Sequence, residues 1–79
     1  MRREKLIAKR KARGLLQADI ANEIGISVQH YSKIELGERM PSYENMVKIA
    51  NFFKVKPDYF FYNDTLLRVE LNEGKSTNK

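Results

Sequence analysis

The chain has 79 residues, 42% of them hydrophobic, with no cysteine, one histidine, and 15 basic against 10 acidic side chains for a net charge of +5. That length suits one small domain, and the missing cysteines exclude a disulfide scaffold, a thiolate nucleophile and a cysteine-ligated zinc site. His30 alone builds no multi-histidine metal centre, no apolar run nears the roughly 20 residues that cross a bilayer, and the basic N-terminus lacks a signal peptide's apolar stretch. A compact, soluble, intracellular domain is expected, with no metal, no small-molecule cofactor and little room for an enzyme pocket.

The positive charge is gathered at one end. Residues 1–13 hold Arg2, Arg3, Lys5, Lys9, Arg10, Lys11 and Arg13 against Glu4 alone, while residues 14–79 hold eight bases against nine acids. A field focused on one element suits a polyanion, with nucleic acid or an anionic membrane surface first. A helix face kept basic for solubility explains the same charge.

In chain order, Arg3 to Arg13 is rich in good helix formers and stops at Gly14, with Leu6 and Ile7 as its apolar face. Gln17 to Ile24 follows, with Ile20, Ala21 and Ile24 inward, and ends at Gly25. Ser27 reads as the N-cap of a third helix reaching Leu36, with Tyr31 and Ile34 inward and Gly37 closing it. Ser42 caps a fourth helix to Phe53, whose inner stripe is Met46, Ile49, Ala50 and Phe53. Pro57 fits the first position of a short fifth helix, Pro57–Phe61, anchored by Tyr59 and Phe60. The connections are short, so neighbouring helices must pack on one another in a compact all-α domain over residues 1–62. The tail, residues 63–79, carries an alternating strip at 65–71 (Leu67, Val69, Leu71) with the period of a half-buried strand. A frayed helical turn fits the same strip; as a strand it would pair with a second copy or dock on the bundle.

The informative stretch is Gln17-Ala18-Asp19-Ile20-Ala21-Asn22-Glu23-Ile24-Gly25-Ile26-Ser27, followed by Tyr31 and Ile34-Glu35. Two helices joined by so short a turn must cross steeply and touch near the corner. Ala21 is small enough for close approach, Gly25 can take the positive φ that turns the chain, Ile26 plugs the corner and Ser27 starts the next helix. Those constraints define a helix-turn-helix.

Gln17-x-x-Ile20-Ala21-x-x-x-Gly25-Ile26-Ser27, then Ile34-Glu35, Gly37-x-Arg39-x-Pro41-Ser42 and Ile49-Ala50, resembles the lambda-repressor-like, XRE-type helix-turn-helix regulators of bacteria and phages. The likeness runs over roughly residues 6–61. It implies a five-helix DNA-binding domain that acts on a double-stranded operator, usually as a homodimer on a pseudo-palindrome. It also implies a cytoplasmic protein, associated with the nucleoid through its DNA.

In that family the third helix is the recognition helix, which places Val28, Gln29, Ser32 and Lys33 at base edges. Gln29 suits adenine N6/N7, Lys33 guanine O6/N7 and Val28 a thymine methyl. The family's glutamine at the start of the second helix grips a phosphate, which is the role implied for Gln17. Arg39, Lys11, Arg13 and His30 are the further candidates for backbone contact. Each of these residues also has a plainer reading as exposed surface, and for Gln17 the landmark position favours the phosphate role. Tyr31 reads as core with a hydroxyl able to reach a phosphate at the rim. Arg10 and Glu35 match positions that pair in relatives and tie the first helix to the third; with Ala21 and Gly25 they read as architecture. One position departs from the family: Leu16 stands where a Ser, Thr or Asn caps the second helix.

A repressor acting by operator occupancy is the leading reading. A protein-interaction module such as an antitoxin is the alternative, using the 65–71 strip, and self-association is expected at that strip or at the fifth helix through Phe60, Phe61 and Tyr62. Membrane attachment through the first helix has too little apolar surface in Leu6, Ile7 and Ala8. Catalysis finds no Ser/His/Asp set and no glycine-rich phosphate loop among Gly14, Gly25, Gly37 and Gly74.

Overall fold

The computed structural model describes residues 2–61, and the expectations for the 65–71 strip, Tyr62 and the tail lie outside the described residues. The described residues form α1 (Glu4–Ala12), α2 (Gln17–Ile24), α3 (Val28–Leu36), α4 (Tyr43–Phe53) and α5 (Pro57–Phe61). This is the all-α, five-helix architecture expected. Local chemistry sets most of the boundaries. Ser27 Oγ accepts from the His30 amide at 3.0 Å and Ser42 Oγ from the Asn45 amide at 3.1 Å, so α3 and α4 each begin with one orphan donor satisfied.

The corner between α2 and α3 depends on Gly25, at φ 83°. A Cβ there would meet nothing within 4 Å, so backbone conformation and not crowding demands the glycine. The amides of Gly25 and Ile26 both donate to the Ala21 carbonyl, at 2.9 and 3.0 Å, which draws the chain back over the end of α2. Ile26 then packs against the core.

α2 packs chiefly on α3 and α4 on α5, while α1 lies across α3 and α5. Their shared core contains Leu6, Ile20, Ala21, Ile24, Tyr31, Ile34, Met46, Ile49, Phe53, Phe60 and Phe61. Phe60 meets Phe53 edge-on at 5.6 Å and Phe61 at 5.8 Å, an arrangement that aromatic quadrupoles favour. The expected anchor Tyr59 is corrected by the structure: Phe60 and Phe61 fill the core and Tyr59 stays 43% exposed. Phe60 and Phe61 are for the same reason not free to form a docking surface.

At the start of α2, Leu16 is 68% exposed and its side chain satisfies nothing. Asp19 supplies half of a capping arrangement, its Oδ2 accepting from the Leu16 amide at 2.8 Å. The other half needs a side-chain acceptor that leucine lacks. Leu16→Ser should therefore add about 0.5–1 kcal/mol and raise the melting temperature by a few degrees. Thermal denaturation followed by circular dichroism checks this, and a clear fall would mean that Leu16 is held by packing instead.

Candidate nucleic-acid interface

Three helices meet at one carboxylate. Glu35, on α3, is 2% exposed. Arg10, from α1, donates Nε to Oε2 at 2.6 Å and Nη2 to Oε1 at 3.1 Å, and its Nη1 reaches the Leu15 carbonyl at 2.9 Å. Gln17, the first residue of α2, donates Nε2 to Glu35 Oε1 at 2.9 Å. An ionised carboxylate only accepts, so the Gln17 amide must turn its nitrogen toward Glu35 and keep its carbonyl oxygen free. The architectural pairing of Arg10 with Glu35 is thus present, and Gln17 is joined to it.

Burial alone would push the Glu35 carboxyl up. Hydrogen bonds from Arg10 and Gln17, with Tyr31 close by, outweigh it and hold the group below the usual carboxylate range. The bond to Glu35 correspondingly raises Arg10. Burial raises the Tyr31 hydroxyl first, and its close approach to the Glu35 carboxylate raises it further. That hydroxyl lies in the carboxylate's field yet meets no partner at hydrogen-bonding geometry. Tyr31 is fully buried, which corrects the expectation that its hydroxyl reaches a phosphate at the rim.

The outer face of α3 is bare. Gln29 and Lys33 are exposed, Val28 is 40% exposed and Ser32 is half-buried. With Gln17 they line one open depression of about 400 Å³, completed by Leu36 and Glu38. The four residues expected at base edges and the residue expected at a phosphate therefore share one surface. Leu36, 41% exposed, recurs seven residues after Gln29, a helical spacing that places it on the same stripe. Glu38 joins through the turn at Gly37, for which the sequence pattern carries no signal.

The other candidates are more dispersed. Arg39 and Lys11 are exposed and His30 is half-buried, its amide committed to Ser27. Arg13 is engaged elsewhere. Its Nη1 donates to the Phe52 carbonyl at 3.1 Å, and its guanidinium lies 4.9 Å from the Phe53 ring centre and 5.5 Å from that of Phe52. Three more bases of the segment also lie against aromatic rings. Arg3 sits over Phe61 at 5.2 Å, and Lys5 and Lys9 flank the Tyr59 ring at 4.8 and 5.8 Å. Arg2 pairs with Glu4 at 3.7 Å in solvent. Much of the charge concentrated in residues 1–13 thus fastens α1 over the aromatic side chains of α4 and α5.

No cluster of three or more His, Asp or Glu able to hold a metal occurs among the described residues, and no described helix is long and apolar enough to cross a membrane.

A tight-cornered helix pair whose second member is bare along its outer side is a helix-turn-helix. A family model described as helix-turn-helix matches residues 6–60, and the chain belongs to that family. It is 46% identical over 56 residues to the cryptic phage CTXphi transcriptional repressor RstR of Vibrio cholerae, covering 71% of this chain and 50% of that protein. It is 33% identical over 66 residues to YqaE of Bacillus subtilis, described as an uncharacterized HTH-type transcriptional regulator, covering 84% and 57%. An HTH-type regulator of Methanocaldococcus jannaschii is 41% identical over 63 residues, covering 78% and 96%. The chain spans about half the length of the first two of these relatives. Among solved structures, the P22 c2 repressor protein in complex with synthetic operator 9T, in the presence of Tl+, matches with a TM-score of 0.71 and 30% identity, over 77% of this chain and 92% of that one.

Because Glu35 is depressed in the folded state, its contribution to stability is present above the ordinary carboxylate value of about 4.3 and is lost as pH falls through the folded value. Glu35→Gln should lose about 3 kcal/mol at pH 7 and show a flatter acid limb than the parent protein. Urea denaturation across pH 2–7 measures both. Tyr31→Phe removes an unpartnered hydroxyl and should leave stability unchanged or higher; a loss above about 1 kcal/mol would mean that the hydroxyl bonds Glu35.

Proposed function

We propose that this chain is a sequence-specific double-stranded DNA-binding transcriptional regulator, a repressor that occupies an operator by laying α3 in the major groove. The observation that carries this reading is the shared depression lined by Gln17, Val28, Gln29, Ser32 and Lys33. Major-groove readout needs a bare helix with donors, acceptors and a small apolar side chain on one stripe, and that is what α3 presents. Likeness to the repressor RstR and to the c2 repressor bound to an operator supports the same reading.

Within it, Val28, Gln29, Ser32 and Lys33 read bases. Gln17 meets the sugar–phosphate backbone through its remaining amide N–H, its other donor being held by Glu35. Arg39, Lys11 and His30 supply further backbone contacts; Arg13 contributes mainly by holding α1 on α4. The protein works as a homodimer on a pseudo-palindromic site in the cytoplasm, with two recognition helices about 34 Å apart, one turn of duplex. No catalytic step or cofactor belongs to the reading.

Fluorescence anisotropy with duplexes selected from a random pool tests it. Affinity should fall steeply with salt, and Lys11→Ala or Arg39→Ala should weaken every duplex alike and reduce the salt slope by about one. Gln29→Ala should change which base is preferred at one position. If Gln29→Ala merely weakens all duplexes with preference intact, the reading face lies elsewhere.

A further inference from the structure

The depression on the outer side of α3 holds one residue whose charge runs against its surroundings. Glu38 follows Gly37, which closes α3 at φ 80°. The Gly37 amide donates to the Ile34 carbonyl at 3.1 Å and the Glu38 amide to the Lys33 carbonyl at 3.0 Å. These bonds pin the Glu38 main chain to the last turn of the helix, beside Lys33. Its side chain is exposed, and no ion pair neutralises it among the described residues.

A carboxylate in that place has two fates against a duplex. Phosphates, and the O6, N7 and O4 atoms of the major groove, carry negative or acceptor character, and a bare carboxylate brought against them is repelled and loses its water uncompensated. An exocyclic amino group is the only base-edge partner it can use, and cytosine N4 is the one glutamate suits. Discrimination then comes from the penalty imposed on the wrong sequence as well as from the bond made to the right one. Resting on the DNA-binding reading above, we propose that Glu38 is a specificity-determining residue. In this role it accepts from a cytosine amino group next to the base met by Lys33 and penalises duplexes that offer only acceptors there.

The test is selection of bound sequences from randomised duplexes by the parent protein, Glu38→Ala and Glu38→Gln, with affinity for one unrelated duplex measured at low salt. The parent should enrich cytosine at one position in each half-site. Glu38→Ala should lose that enrichment and keep the other preferences, and both variants should bind the unrelated duplex about threefold more tightly, as expected for removing one exposed like charge. Unchanged melting temperatures establish that the variants are folded. Cytosine enrichment that survives in Glu38→Ala, or a parent selection with no position that depends on residue 38, overturns the assignment of Glu38 alone. A folded parent that selects no sequence and binds no duplex overturns the DNA-binding reading itself, and this inference with it.

Discussion

A buried carboxylate must be answered, and in this fold the answer comes from three helices. Left without partners, the Glu35 charge would cost several kcal/mol in the interior. Arg10 of α1 supplies two charge-assisted bonds and Gln17 of α2 a third, so the same ion holds α1, α2 and α3 in one relation. That relation turns the other stripe of α3, with Gln29, Ser32, Lys33 and Leu36, toward solvent. The arrangement also commits part of Gln17 to the interior before any ligand arrives. A side chain already held at one end loses less freedom on binding, which favours a defined contact over an adaptable one.

The basic N-terminal segment has a structural use that its charge alone does not reveal. Arg3, Lys5, Lys9 and Arg13 lie over the rings of Phe61, Tyr59, Phe53 and Phe52. Cations stacked on rings contribute about 0.5–1 kcal/mol each when exposed, more where partly desolvated. The charge does not vanish in such contacts, so the segment still adds to a long-range field that draws a polyanion. Direct phosphate contact is a different matter, and Arg13 in particular is spoken for by the C-terminal end of α4.

Features with local causes were legible in the sequence. Ser27 and Ser42 sit where short side-chain acceptors cap helices, Gly25 sits where the chain must take positive φ, and Ile20, Ala21 and Ile24 repeat at helical spacing. Features made by distant residues were less so. The bond from Gln17 to Glu35 joins positions 18 apart, and nothing in either residue's neighbourhood announces it. A five-residue helix is too short to show a period, so the ranking of Tyr59, Phe60 and Phe61 by burial waited on the position of α1. The Tyr31 hydroxyl reads as a surface handle until Glu35 and its partners are seen to enclose it. Glu38 joins the depression beside α3 only because Gly37 folds the chain back against Lys33.

In the proposed function the exposed stripe of α3, and not the basic face of α1, meets the duplex. Backbone amide resonances followed during titration with a selected duplex test this most directly. Gln17, Val28, Gln29, Ser32, Lys33, Leu36 and Glu38 should shift first and furthest, while Lys5, Lys9 and Tyr59 should stay nearly still. Large shifts confined to Lys5, Lys9 and Tyr59, with the α3 stripe unmoved, would contradict it.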